Sequence, residues 1–134
     1  MSNFRINHVA MAVPDIAGFL DKARPVYDNF TRGPLITNTR QAVREQFISD
    51  GSTTIELLEP LGDSSPIGGF LKRQPRGGLI HLAFDVDALD PAIAVLTAAG
   101  GRLVTPPVPD IAFDERRIAF ILLAGQIIEL IERA

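Results

Sequence analysis

Two histidines and two glutamates recur at matched spacings in this chain. His8 and His81, its only histidines, lie 73 residues apart, and Glu56 and Glu129 are separated by the same distance. Each histidine therefore precedes a glutamate by 48 residues. Imidazole nitrogens and carboxylate oxygens suit divalent first-row metals, and four such ligands leave positions open for water or substrate. The matched spacing thus predicts a metal site.

A metal in an open site polarises a carbonyl oxygen and stabilises the enolate that forms when the neighbouring carbon loses a proton. A carboxylate beside that carbon can act as the base. The four residues therefore indicate proton abstraction next to a carbonyl group, and they leave the substrate open. The alternative is a pair of structural histidines with two edge glutamates. The metal is favoured because two buried carboxylates without a cation would repel each other.

Short apolar segments carry the two histidines and read as strands, at residues 6–13 and 79–86. Because side chains alternate between the faces of a strand, each histidine shares its face with a small alanine neighbour, which leaves room beside the ring. The same 73-residue offset relates Phe47-Ile48 to Phe120-Ile121, and residues 55–59 to residues 128–132. Such a repeat predicts two copies of one module.

Each module reads as β-α-β-β-β. The first covers residues 1–60, the second covers residues 78–134, and residues 61–77 form a linker with a short helix. One helix cannot cover both faces of so small a sheet, so the modules are expected to share a core as a single domain. The expected fold is α+β, with two tandem βαβββ modules forming a curled mixed sheet around a concave metal site and the helices outside.

Several local signals define the helices. Asp15 is a good N-cap for a first helix, and Pro25 should kink or end that helix. Asp90-Pro91 is predicted to cap a second helix that runs to about Ala99. The prolines within residues 105–109 predict that this stretch lacks regular structure.

A hairpin is predicted at Asp50-Gly51, between two strands of the first module. A two-residue turn would place Glu45 directly opposite Glu56, whereas a loop one residue longer would place Gln46 there. Either side chain could instead be a solvated surface residue. Both Glu45 and Gln46 are therefore candidates for the site.

Arg116 and Arg117 stand at the start of a predicted strand in the second module. Their guanidinium groups are candidate contacts for an anionic substrate. The competing interpretation is that both arginines are ordinary surface residues.

Composition limits the remaining possibilities. With 134 residues, 46% hydrophobic and 22% charged, the chain has the composition of a globular protein. A net charge of −3 gives no reason to expect nucleic acid binding, and no apolar run is long enough to cross a bilayer. The absence of cysteine and of an apolar signal core near Met1 predicts a cytoplasmic protein.

Almost the whole chain resembles the vicinal oxygen chelate superfamily, also called the glyoxalase/bleomycin resistance/dioxygenase fold. The residues that carry the resemblance are 6–10, 13–15, 55–67, 78–84, 117–120 and 128–130. The string Glu-Leu-Leu-Glu-Pro-Leu-Gly-Asp-Ser-Ser-Pro-Ile from Glu56 onward is the most specific of them. Within the superfamily the chain is most similar to the methylmalonyl-CoA epimerase and glyoxalase I-like branch.

The resemblance implies that His8, Glu56, His81 and Glu129 hold one divalent metal, and cobalt, nickel, zinc, manganese and iron all suit these ligands. It implies a metal-dependent epimerase of a 2-methylmalonyl-type thioester. In that reaction Glu129 would serve one face of the α-carbon and Glu45 the opposite face. It also implies a homodimer.

Parts of the sequence depart from the epimerase pattern, namely residues 112–117, Ile80 and a short last hairpin at residues 122–125. A glyoxalase I-like lactoylglutathione lyase would need only the four metal ligands, with Glu56 and Glu129 as its acid and base. A non-catalytic resistance-type protein would bind a small molecule on the same scaffold but usually lacks the ligands. The complete ligand set favours an enzyme acting on a small carbonyl or thioester substrate.

Overall fold

The computed structural model describes residues 3–133, which fall into two compact units. Unit 1 combines the residues up to His8 with those from His81 onward, and unit 2 comprises Val9–Ile80. The helices and strands of each unit follow from its own sequence signals and its own core. Within the described range, no helix is both long and apolar enough to span a membrane.

Unit 2 contains most of the first predicted module and the linker helix. Its elements are the second part of β1 (Arg5–Ala12), α1 (Ile16–Lys22), α2 (Arg24–Tyr27), β2 (Thr31–Arg32), β3 (Ile36–Asn38), β4 (Val43–Ser49), β5 (Thr54–Pro60), α3 (Gly68–Arg73) and the start of β6 (Gly78–Val86). Its strand order is β2-β4-β5-β1, β3 also pairs with β4, and β1 runs parallel to β5. Val13, Leu20 and Leu57 belong to one of its buried apolar clusters.

Unit 1 contains most of the second module. Its elements are the first part of β1, the remainder of β6, α4 (Leu89–Ala98), β7 (Arg102–Asp110), a 3₁₀ turn (Ile111–Phe113), β8 (Arg116–Leu123) and β9 (Gln126–Glu132). The strand order is β6-β9-β8-β7, and β6 runs parallel to β9. Leu89 and Ala92 of α4 belong to the same buried cluster as Ile121 and Leu130, so this helix covers one face of the β8–β9 pair.

The 73-residue repeat has a direct structural counterpart. Ala10 pairs with Glu56 across β1 and β5, and Ala83 pairs with Glu129 across β6 and β9. Each glutamate therefore occupies the equivalent register position in its own unit. These elements confirm the predicted α+β class. The second module has the predicted β-α-β-β-β order, whereas the first has a second short helix, α2, and four strands after its helices.

Helix α1 begins where the sequence predicts. The Asp15 carboxylate accepts a hydrogen bond of 2.6 Å from the Gly18 N–H. The predicted break also occurs, because α1 ends at Lys22 and Pro25 lies in the first turn of the separate short helix α2. Proline fits a first turn because the N–H it lacks has no intrahelical partner there.

Helix α4 differs from the prediction at its start. Its N-cap is Ala88, and no side-chain hydrogen bond from that residue caps the helix. Glu132 of β9 instead supplies the acceptor, since its Oε2 lies 2.7 Å from the N–H of Leu89. The predicted cap at Asp90 is therefore wrong. A carboxylate distant in sequence satisfies the helix N-terminus, and a local pattern cannot show it.

The first hairpin also differs in register. Glu45 pairs with Leu58 and Phe47 pairs with Glu56, so neither Glu45 nor Gln46 lies directly opposite Glu56. The connection spans residues 50–53 because the Asp50 carboxylate accepts the N–H groups of Ser52 and Thr53. These hydrogen bonds lower the pKa of Asp50. A turn of four residues shifts the pairing by two, which preserves the faces.

Strand β7 forms where the prolines predicted no regular structure. It includes Pro106, Pro107 and Pro109, pairs with β8, and shows register shifts on either side of Thr105. Its position at the end of the strand order explains the difference, because an edge strand tolerates residues that cannot donate to the ladder.

Candidate metal site

Three of the four predicted ligands lie together in unit 1. Glu129 Oε1 is 3.4 Å from His8 Nε2 and 3.2 Å from His81 Nε2, and the two imidazole rings are 5.8 Å apart. The side chains of His8, His81 and Glu129 are 0%, 6% and 4% exposed, so the group is almost completely shielded from solvent. Two imidazoles and a carboxylate at this spacing form a donor set that can hold a metal ion.

Neighbouring strands bring His81 and Glu129 together. Strands β6 and β9 are parallel, and Ala83, two residues after His81 and on the same face, pairs with Glu129. A methyl side chain at Ala83 leaves space that a larger residue would fill.

The two histidines determine the charge of Glu129. Burial by itself would raise the pKa of this carboxyl group, but hydrogen bonds and charge interactions with His8 and His81 outweigh it and lower the pKa. The ionised form of the carboxylate is thus stabilised although it is buried. An ionised carboxylate is the form that binds a cation.

Aromatic rings hold both imidazoles in place. Phe113 stacks on His8 with ring centroids 5.8 Å apart and an interplanar angle of 15°. Phe120 meets His81 edge-on at 5.3 Å. Phe113 lies in a 3₁₀ turn, where no periodic pattern marks it, so its contact with His8 was not predicted.

Two further predicted residues lie in unit 2. Glu56 on β5 and Glu45 on β4 are both 3% exposed, and the pairing of Glu45 with Leu58 places the two glutamates diagonally on one face of this hairpin. Asn38 Nδ2 donates to Glu45 Oε1 over 3.1 Å, while Asn38 Oδ1 accepts the N–H of Gln41. The Asn38 amide is therefore fixed with its donor toward the carboxylate.

The remaining predicted residues have other contacts. Gln46 lies on the opposite face of β4 from Glu45, and its Nε2 donates to the Gly33 carbonyl over 2.8 Å. Arg117 donates two hydrogen bonds of 3.1 Å to Glu132, which accounts for its position without a substrate anion. The substrate-binding roles of Gln46 and Arg117 stay predictions.

Arg116 contacts Phe113, the aromatic residue that stacks on His8. Its Nε donates to the Phe113 carbonyl over 3.1 Å, and its guanidinium carbon is 5.8 Å from the centre of the Phe113 ring. The cation therefore rests on the aromatic ring that itself stacks on His8. Arg116 supports the aromatic wall of the site in this structure.

Comparison with known protein families shows the family to which the chain belongs. The sequence model of one family, the Glyoxalase/Bleomycin resistance protein/Dioxygenase superfamily, matches residues 7–120. The chain is a member of that superfamily, and the resemblance predicted from the sequence is confirmed.

Its relatives agree with the branch predicted from the sequence. The mitochondrial methylmalonyl-CoA epimerase of Dictyostelium discoideum is 33% identical over 96% of this chain and 78% of its own length. The ethylmalonyl-CoA/methylmalonyl-CoA epimerase of Cereibacter sphaeroides is 37% identical over 87% of each chain. A solved structure of a single-residue variant of the Streptomyces coelicolor methylmalonyl-CoA epimerase, in complex with 2-nitronate-propionyl-CoA, aligns with a TM-score of 0.81, at 26% identity, over 97% of each chain.

Proposed function

We propose that this protein is a metal-dependent epimerase that removes and returns the proton α to a thioester carbonyl, with methylmalonyl-CoA or a close analogue as substrate. The observation that carries the proposal is the buried group of His8, His81 and Glu129, whose donor atoms lie within 3.4 Å of Glu129 Oε1. The names of the relatives support the substrate class.

We assign four ligands to the metal, with Glu56 added to His8, His81 and Glu129. Glu56 is supported by its register, because its pairing with Ala10 repeats the pairing of Glu129 with Ala83. When bound, a divalent metal supplies positive charge to a substrate carbonyl oxygen. Cobalt, nickel, zinc, manganese and iron all suit imidazole and carboxylate ligands.

Proton transfer is assigned to two carboxylates. Inverting a carbon centre requires one group that removes the proton and another that returns it on the opposite face. Glu129 serves one face and Glu45 the other. Burial of Glu45 and its hydrogen bond from Asn38 support this role, because a base must be held in one orientation and kept away from bulk water.

The test is exchange of the substrate proton in D₂O. Cobalt-loaded protein is mixed with methylmalonyl-CoA, and loss of the α-proton is followed by NMR. We expect rapid exchange in the wild type and none in His81→Ala. Absence of exchange from a protein that holds cobalt would overturn the epimerase assignment, and turnover of methylglyoxal with a thiol would point to a glyoxalase I-like lyase instead.

The assembly and cellular location are part of the same proposal. We assign a homodimer, as the family resemblance implies, and a cytoplasmic location, which the cysteine-free composition supports. Light scattering should return twice the chain mass of 14.5 kDa. A monomeric mass would exclude the homodimer.

A further inference from the structure

We propose that Asn7 and Asp85 are positioning residues that fix the tautomer of His8 through a directed pair of hydrogen bonds. Asn7 Oδ1 lies 2.7 Å from His8 Nδ1. Asn7 Nδ2 lies 3.2 Å from each carboxylate oxygen of Asp85. The hydrogen bonds that fix the tautomer exist without a metal. Only the effect of that tautomer on metal binding rests on the proposed metal site.

The direction of these hydrogen bonds follows from the carboxylate. An ionised carboxylate accepts hydrogen bonds but cannot donate them, so the Asn7 group that faces Asp85 must be its NH₂. The amide oxygen of Asn7 then faces His8. Because that oxygen can only accept, His8 Nδ1 must carry a proton. Asp85 therefore removes the ambiguity in the orientation of an asparagine amide.

The consequence appears at the other nitrogen of the same ring. A His8 ring whose Nδ1 proton is held by Asn7 gives up its other proton, the one on Nε2, and Nε2 is the atom 3.4 Å from Glu129 Oε1. The hydrogen bond from His8 to Glu129 in the metal-free protein uses that Nε2 proton, and Nε2 would bind a metal after losing it. The negative charge of Asp85, acting through Asn7, also makes the ring a better electron donor.

The second module does not repeat this arrangement. The residue 73 positions after Asn7 is Ile80, whose side chain has no hydrogen-bonding group. The two histidines are therefore equivalent in the sequence repeat but differ in the group that precedes each of them. This difference makes His81 a control within the same molecule.

The first test is NMR of the imidazole nitrogens in metal-free protein, at a pH where each ring carries a single proton. His81→Ala assigns the spectrum because the chain has only two histidines. We expect the His8 proton on Nδ1 in the wild type and a loss of that preference in Asn7→Leu, with His81 unchanged. A wild-type His8 proton on Nε2, or an unchanged His8 in Asn7→Leu, would overturn the proposal.

The second test is cobalt affinity measured by competition with a chelator. Asn7→Leu should bind cobalt about 10–100-fold more weakly than wild type. The exchange N7D/D85N restores a hydrogen-bonded pair, because the new carboxylate accepts from His8 Nδ1 and the new amide donates to that carboxylate. It should bind within a few-fold of wild type. An affinity as low as that of Asn7→Leu would contradict the directed pair.

Asp87→Asn is the matched control. Asp87 is exposed, lies two residues from Asp85, and accepts a hydrogen bond of 2.9 Å from Arg133. The Asp87→Asn variant loses the same negative charge as Asp85→Asn, but the hydrogen bonds of Asn7 stay intact. An equal loss of affinity in both variants would indicate a general charge effect and overturn the positioning role. If wild type binds no cobalt, the proposed metal site fails, while the tautomer measurement still decides the role of Asn7 and Asp85.

Discussion

Glu59 and Glu132, which lie 73 residues apart, make the same pair of contacts in their respective units. Glu132 accepts the first N–H of α4 and binds Arg117. Glu59 accepts the N–H of Ile16, the first residue of α1, over 2.8 Å and binds Arg44 over 3.0 Å. Arg44 and Arg117 are also 73 residues apart. The repeat therefore preserves a carboxylate that joins a helix N-terminus to a neighbouring strand.

Replacing Glu132 with glutamine should destabilise the fold. We expect a loss of roughly 1 kcal/mol, the usual contribution of a helix-capping side chain. For a domain of this size that loss corresponds to a melting temperature lower by about 3–5 °C. Thermal denaturation measures it. Asp21→Asn is the control because the Asp21–Arg24 pair is exposed, and exposed pairs add little to stability.

The same variant should change how stability depends on pH. The hydrogen bond from Arg117, followed by that from the Leu89 N–H, lowers the pKa of Glu132 below its ordinary value of 4.5. Its contribution is therefore complete above the unfolded-state pKa and is lost as the pH falls through the lower folded-state pKa. The stability difference between wild type and Glu132→Gln should shrink in acid. A difference that stays constant down to strongly acidic pH would contradict this account.

Metal addition should stabilise the protein. Cobalt at about 100 times its Kd would raise the free energy of unfolding by about 2.7 kcal/mol, because only the folded state brings the ligands together. Differential scanning fluorimetry with and without cobalt measures the effect, and His81→Ala and Glu129→Gln should abolish it. Magnesium is the control ion. Because it prefers oxygen ligands, it should raise the melting temperature much less than cobalt does. Equal shifts with both ions would argue against an imidazole site.

Glu45→Gln tests the assignment of the second base. We expect α-proton exchange to slow by about 10²–10⁴-fold, since glutamine keeps the shape of the side chain but cannot accept the proton. Cobalt affinity should remain near that of wild type. Gln46→Ala, on the other face of β4, should slow exchange much less than Glu45→Gln does. The reverse order of effects would show that Gln46, and not Glu45, acts on the substrate.

Gly77 should be intolerant of any side chain. Its φ of +89° is already unfavourable for other residues, and an added Cβ would collide with the carbonyl oxygen of Ala12. Gly51 is the matched control because its φ of +94° is similar and an added Cβ would have no neighbour within 4 Å. Gly51→Ala should cost about 1–3 kcal/mol from backbone strain alone. Chemical denaturation should show a clearly larger loss for Gly77→Ala, and similar losses would refute the collision.

The features that the sequence predicted well all have local or periodic causes. The strands that carry His8 and His81 follow from side-chain alternation, and the helix start at Asp15 follows from one capping hydrogen bond. The last hairpin is equally local, because Ala124 and Gly125 both have positive φ and form a two-residue turn. The repeat then located Glu129 in the site once its strand had been identified.

The features that the sequence missed depend on distant partners. The contact of Glu132 with α4 and the stacking of Phe113 on His8 join residues far apart in the chain, which no local pattern reveals. The pairing of Glu45 was missed for a different reason. A single turn residue, Asp50, bonds to the loop backbone and lengthens the turn, and every pair along the hairpin then shifts.

The prolines of β7 have a consequence beyond the fold of unit 1. An edge strand normally presents a row of N–H groups to which the strand of another chain can add, and such addition is a common start of aggregation. Pro106, Pro107 and Pro109 leave three of the nine residues of β7 without an N–H group, and the register shifts in the same strand make its edge irregular. The proline-rich segment that was predicted to lack regular structure therefore forms an edge strand to which a strand of another chain adds poorly.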